Sequence, residues 1–333
     1  MEYSKRLGSI SSEQFQKALD KFSLGRFVEA EPVPFGNFGQ NVFITSTKGK
    51  FVLRGKPHYK WQFKSEQIVA KLLHEQTTVP VPWPYLLDTE EDIFSWSYVI
   101  MPKMSGFQLA DKTVRSKFSK EDIKEIAKVL GKNLSNIHKV KWNFCGKYDH
   151  DTDKIEPFEK PFSTWLSERI FEFLDKSSFY NKNTSEDDKL WVRQLLTDSE
   201  NYFNINFSPT LVMQDYKEGN MTVDKADGNW VVTGVFDLME AYFGHQEADL
   251  SRTFIEYKRE SEELAYIFLN SYFKNVTLQS GFSKRFPVFI VLDRSIIWEW
   301  AQRNGNMWWQ ENLTFREWCE PFCELKTDKL IGS

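Results

Sequence analysis

Two apolar runs on either side of one tight turn constrain this chain more than any other feature. Met-Thr-Val-Asp (221–224) and Trp-Val-Val-Thr-Gly-Val-Phe-Asp (230–237) flank Lys-Ala-Asp-Gly-Asn (225–229). An Asp-Gly step between β-branched runs predicts an antiparallel hairpin. Pairing the strands places Asn220, entering the first, and Asp237, leaving the second, at the same open end, about one inter-strand spacing of 5 Å apart. A further oxygen-bearing side chain, Asp215, stands in the loop that feeds the hairpin.

A carboxamide and a carboxylate at that end suit a hard cation. Mg²⁺ takes oxygen ligands in a near-octahedral shell, keeps some of its waters, and is held by one or two protein groups together with substrate phosphates. Asp215, just upstream of the Asn, is then available to orient and deprotonate an attacking hydroxyl. This division of labour matches phosphoryl transfer, in which one Asp accepts the acceptor's proton while an Asn and a later Asp hold the metal. The same residue types also cap ordinary hairpins.

On these residues, 211–250 resembles the catalytic segment of the aminoglycoside phosphotransferase and choline kinase superfamily. That pattern is approximately two apolar residues, His-Gly-Asp-Leu-His-x-Gly-Asn, a hairpin, and Ile-Asp. The resemblance implies an α+β, bilobal protein-kinase-like fold with an antiparallel-sheet N-lobe and a mainly helical C-lobe. It also implies ATP- and Mg²⁺-dependent transfer of the γ-phosphoryl group to a hydroxyl of a small molecule, with GTP open as an alternative donor. Asp215 falls on the base, Asn220 and Asp237 fall on the metal ligands, and Gly219 falls on the glycine before the Asn. Asp249-Leu250 resembles the family's later Asp-Leu. The chain departs from the pattern at Met213-Gln214, where His-Gly is usual, and at Tyr216-Lys217-Glu218, where Leu-His-x is usual. These departures keep a nucleotide-binding pseudoenzyme among the readings. A metabolite kinase acting on an amino alcohol, a sugar or homoserine stands beside an antibiotic kinase.

Upstream, 33–54 reads as strands separated by glycine-bearing turns, and Ile68, Val69, Leu72 and Leu73 predict a helix over about 62–75. Gly36, Asn37, Phe38 and Gly39 form a two-glycine turn whose N–H groups suit phosphate binding or an ordinary hairpin. Strand alternation sends Arg54 to the face opposite Phe51 and Leu53. The resemblance sets Arg54 where a Lys commonly reaches the α- and β-phosphates and pairs with a helix Glu, here Glu66. A guanidinium stays charged and grips phosphate bidentately. Tyr98–Met101 predicts a strand, and Met-Pro-Lys-Met-Ser-Gly (101–106) resembles the hinge whose backbone receives adenine, which makes Met101 a candidate nucleotide-binding residue; lobes are expected over 1–101 and 102–333.

Further on the pattern is helical: 120–140 with an apolar stripe, 161–176, 186–204, 247–275 and 283–304. His138, at the end of the first of these, reads as a satisfied helix-terminal histidine. Trp298, Trp300, Trp308, Trp309 and Trp318 fall near the C-terminus, where aromatics at helical spacing form core or, alternatively, an aromatic wall beside an acceptor. Acidic residues at Asp149, Asp151, Asp153, Glu240 and Glu247 read as solvated loops or as contacts for a polycationic acceptor.

A net charge of −4 disfavours a nucleic-acid partner, which demands clustered Lys and Arg. No apolar segment is long enough for a membrane span, and no signal-peptide core follows the first residues, so a cytoplasmic monomer or homodimer is expected. Three cysteines favour reduced thiols, and five scattered histidines disfavour zinc.

Overall fold

The computed structural model describes residues 2–33, 39–181, 183–203 and 205–330. Strands β1 (Glu2–Ser4) and β2 (Gly8–Ser9) precede helix α1 (Ser12–Lys21). Next come β3 (Phe27–Pro32), β4 (Asn41–Ser46), β5 (Gly49–Gly55), α2 (Gln62–Gln76), β6 (Leu86–Asp88) and β7 (Tyr98–Pro102). The middle of the chain forms β8 (Phe107–Gln108), α3 (Lys112–Arg115), α4 (Lys120–Ile137), β9 (Gly146–Asp149), β10 (Lys154–Pro157), α5 (Phe162–Ser177) and α6 (Glu186–Phe203). It continues through β11 (Thr210–Val212), β12 (Met221–Ala226), β13 (Asn229–Val235), β14 (Tyr242–Gly244), α7 (Leu250–Glu260), α8 (Glu262–Phe273), α9 (Phe282–Arg303) and α10 (Phe315–Cys323). This is an α+β fold with an antiparallel sheet in its N-terminal region and a helical C-terminal region.

The chain packs as two compact units, one of residues 1–126, 148–154 and 218–241, the other of 127–147, 155–217 and 242–333. Within the first unit, Thr222 and Val223 of β12 pair with Gln108 and Phe107 of β8, and the Leu109 N–H donates to the Met221 carbonyl. The hairpin is thereby stitched to the segment that follows β7.

In the first unit, five strands run in the order β3-β4-β5-β7-β6, each antiparallel to its neighbour. Helix α1 starts at a capping box, with the Ser11 hydroxyl accepting the Gln14 N–H while the Gln14 side chain accepts the Ser11 N–H. Its Phe15, Ala18 and Leu19 share a core with Val42, Ile44, Leu53, Tyr98 and Ile100 of the sheet. Full burial of each Phe, Leu or Ile there contributes about 1.5–3 kcal/mol. The β12–β13 hairpin closes through Asp227 and Gly228, with φ of 51° and 78°, the two left-handed positions of a two-residue turn that suits strand twist.

The second unit is built around α9, which packs against α5, α6, α7 and α10 and buries Phe286 through Ser295 without a break. Trp298 is fully buried and stacks on Trp309 at 5.1 Å, and Trp309 lies 4.4 Å from Trp318, so these rings are core. The single helix expected over 247–275 is divided. Ser261 takes an extended backbone (φ −161°, ψ 129°), and this one-residue break lets α8 pack back on α7. The β9–β10 strands were not expected from sequence. They are four residues each, too short for alternation to be read, and Asp149 spends its carboxylate on the N–H groups of Asp151 and Thr152 in the turn between them.

Close packing of α4 on α8 depends on Gly131. A Cβ there would run into the Phe268 carbonyl and lie 3.0 Å from the Tyr272 nitrogen, both backbone atoms that cannot swing aside. Gly131→Ala is expected to destabilise the fold by about 1–3 kcal/mol, read as a lowered melting temperature.

Candidate active site

The residues singled out in the sequence fall in both packing units. Arg54, Glu66, Met101, Asn220 and Asp237 belong to the first and Asp215 to the second, the chain passing from one to the other after Lys217. Gly36, Asn37 and Phe38 lie outside the described residues. Gly39 is described at φ 59°, and its carbonyl accepts the Ser4 hydroxyl at 2.5 Å.

In the first unit, β5 carries Arg54 between Asn41 of β4 and Val99 of β7, and α2 carries Glu66 opposite it. Arg54 Nη1 donates to Glu66 at 3.1 Å, while Nη2 donates to Gln40 Oε1 at 3.4 Å and to Asp237 Oδ1 at 3.3 Å. The Tyr85 hydroxyl donates to the same Glu66 oxygen, Oε2. Burial works against the Arg54 charge, but Glu66 and Asp237 outweigh it and push its pKa up. Arg54, Glu66, Tyr85, Met101 and Asp237 line one recess, with Pro82, Val235 and Leu238 as its apolar wall.

The hairpin register settles where Asn220 and Asp237 stand. Met221 pairs with Val235, and the Phe236 N–H donates to the Asn220 carbonyl at 3.0 Å, so both oxygen-bearing residues lie at the open end of the ribbon. The Val235 N–H donates to the Pro80 carbonyl at 2.8 Å, and Glu218 is gripped by Arg115 at 2.5 Å, fixing both strands next to that end. Asp237 sits at φ 62°, a left-handed backbone that a non-glycine residue keeps only when its surroundings hold it. The donor set suits a hard cation: a carboxamide and a part-exposed carboxylate, the latter already in contact with a positive group, the Arg54 guanidinium.

In the second unit the loop bearing Asp215 is pinned on both sides. The Asp249 carboxylate accepts the N–H of Met213 at 2.6 Å and of Gln214 at 2.7 Å. Behind it, His138 Nε2 faces Asp249 at 3.3 Å and Nδ1 faces the Tyr272 hydroxyl at 2.7 Å. A carboxylate only accepts, so the nitrogen facing Asp249 carries a hydrogen. After Asp215, the buried Tyr216 donates to the Leu130 carbonyl at 2.8 Å and receives Asn133 at 3.1 Å, while Thr253 donates to the Tyr216 carbonyl at 2.6 Å. Asp215 itself accepts Arg252 Nη1 on Oδ1 and Lys217 Nζ on Oδ2, both at 2.6 Å.

Sequence reasoning missed Tyr85, Gln40, Arg115, Arg252 and Asp293. A signal existed for two of them: Asp293 interrupts the apolar run of α9, and Arg252 follows buried Leu250 and Ser251, positions where a charge persists only when paired. His138, read as a satisfied terminal histidine, braces the carboxylate that shapes the loop. Glu247, weighed as a contact for a polycationic acceptor, is buried in a two-pronged pair with Arg285 at 2.5 and 3.0 Å.

Residues 29–281 match the model of the phosphotransferase enzyme family, and the chain belongs to that family. By class it is therefore a phosphotransferase. No curated protein matches it. Among solved structures it is similar to a thermostable mutant of aminoglycoside phosphotransferase APH(4)-Ia in ternary complex with ADP and hygromycin B, at 14% identity over 96% of this chain and 99% of that one, TM-score 0.62. It is also similar to the GDP complex of wild-type aminoglycoside 2′-phosphotransferase-IIIa, at 13% identity over 94% and 99%, TM-score 0.60. A Thermobifida fusca YX-ER1 protein described as a fructosamine-3-kinase matches at 13% identity over 92% and 96%, TM-score 0.62. At these identities the likeness establishes the fold.

Gln214 occupies the place of the family's usual glycine, and its φ of 71° supplies the reason a glycine is usual there. Left-handed backbone costs a side-chain-bearing residue about 1–2 kcal/mol, somewhat more than the unfolded-state entropy a glycine adds. Gln214→Gly is expected to raise stability by about 0.5–1 kcal/mol in chemical denaturation, and Gln214→Val to lower it.

Proposed function

We propose that the protein is an ATP- and Mg²⁺-dependent kinase that moves the γ-phosphoryl group to a hydroxyl of a small molecule. The observation that carries this reading is the pinned loop. Hydrogen bonds to Met213 and Gln214 on one side and to Tyr216 on the other present Asp215 in a defined position while its own side chain stays partly exposed. Such catalysis consists mainly of positioning and charge neutralisation.

In this reading Asp215 accepts the acceptor's hydroxyl proton as the oxygen attacks the γ-phosphorus and the bond to the β-phosphate oxygen breaks, releasing ADP. Arg54, with its charge secured by Glu66, neutralises donor phosphates. The end of β7 at Met101 receives the base of the nucleotide. Asn220 and Asp237 would hold Mg²⁺, which when bound draws negative charge away from the phosphates. The Glu247 and Asp149 carboxylates are committed to Arg285 and to a turn, so neither supports a polycationic acceptor over a metabolite hydroxyl. Localisation in the cytoplasm is part of the same proposal. Among the described residues no helix is long and apolar enough to cross a membrane.

The test is a screen of aminoglycosides, amino alcohols, sugars and homoserine with γ-labelled ATP, the native chain beside Asp215→Ala. Transfer is expected to fall by about 10²-fold or more in the variant; transfer that persists removes Asp215 from its role. Tight MgATP binding with no transfer to any acceptor favours the pseudoenzyme reading instead. Separately, Asp237→Ala is expected to abolish the Mg²⁺-dependent part of the thermal stabilisation given by ATP, because a ligand bound only by the folded state raises the melting temperature. An unchanged shift refutes the metal assignment.

A further inference from the structure

The two oxygens of Asp215 are not equivalent. Oδ1 accepts from Arg252, a residue 6% exposed on α7, whereas Oδ2 accepts from Lys217, whose side chain is 27% exposed. Arg252 is immobilised from behind: its Nε donates to Oδ1 of Asp293, a fully buried residue on α9. The other oxygen of Asp293 accepts Arg294 through Nε at 2.9 Å and Nη2 at 2.6 Å, and the Arg294 guanidinium lies 4.9 Å from the ring centre of Trp318. Burial works against the Arg252 charge, but Asp293 and Asp215 more than restore it. The result is a relay of fixed charges, Asp215–Arg252–Asp293–Arg294, that ends in the aromatic core of α9 and α10.

We propose that Arg252 is a positioning residue that anchors Asp215 by Oδ1, leaving Oδ2 as the oxygen that takes the acceptor's proton. This deepens the kinase reading and rests on it. A planar guanidinium with one edge on Asp293 and another on Asp215 fixes both the place and the rotation of the Asp215 carboxylate, which an ammonium, a point donor on a flexible stem, does not. Lys217 is the partner able to exchange: its side chain is long and part-exposed, so its ammonium leaves Oδ2 when the acceptor hydroxyl arrives. The proton passes from the hydroxyl to Oδ2, the hydroxyl oxygen bonds to the γ-phosphorus, the bond to the β-phosphate oxygen breaks, and the proton leaves to solvent with the products.

The probe is MgATP with water standing in for the acceptor, followed as ADP formed in single turnovers at high protein concentration. Arg252→Lys and Asp293→Asn are expected to lower kcat by about 10- to 100-fold while KM for ATP changes less than about two-fold, since a displaced base costs rate and not nucleotide binding. Arg252→Met is expected to fall further than Arg252→Lys, so that the retained charge rescues part of the rate. The double variant Arg252→Lys with Asp293→Asn is expected to be no slower than Arg252→Lys alone, because the two act through one contact. Folded variants that keep the native kcat overturn the inference when Asp215→Asn is inactive in the same assay. Full activity in Asp215→Asn instead overturns the kinase reading beneath it.

Discussion

The carboxylate of Asp249 shapes the loop on which the proposed chemistry rests. It takes up two consecutive backbone N–H groups, those of Met213 and Gln214, just before Asp215. Charge-assisted bonds of this kind are roughly twice as strong as neutral ones, and buried donors left without them cost about 1–3 kcal/mol each. They hold Gln214 in a backbone region it would otherwise avoid. Without that grip the chain would relax there, and the direction in which Asp215 leaves the loop would change. His138, itself held by Tyr272, braces Asp249 in turn, so the shape of a part-buried loop is set by buried groups at the end of α4 and on α8.

The hairpin end is governed by the same economy of atoms. Asn220 and Asp237 need no long-range rule to stand together, because strand register alone puts them at one end of the ribbon. What β pairing does not specify is the charge there, and β5 supplies it from Arg54, seated between Glu66 and Asp237. The guanidinium thus satisfies one acidic side chain from a helix and one from a hairpin, tying separate elements of the first unit to a single cation.

Much of this was legible in the sequence, for identifiable reasons. The hairpin, α2, α4, α5, α6 and α9 announced themselves through strand alternation, an Asp-Gly turn or helical periodicity sustained over ten or more residues. The division between α7 and α8 was not legible, because the apolar pattern continues across Ser261 and only its backbone angles mark the break. Nor were β9 and β10, which are too short to show a period. In the site, Asp215, Asn220 and Asp237 stood out by spacing within thirty residues of chain, a local signal. Arg252 and Asp293 lie 41 residues apart and meet only through helix packing, so nothing in the local pattern paired them.

An arginine at position 54 has a consequence for how such a protein is detected. Lysine side chains carry a nucleophilic amine whenever they shed a proton, and acylating nucleotide analogues exploit this to tag phosphate-binding lysines covalently. A guanidinium stays protonated throughout the accessible range and presents no comparable lone pair. With Glu66 and Asp237 pressing its charge still more firmly into place, position 54 is chemically mute toward those reagents. A reagent that needs an amine at position 54 therefore finds none in this chain.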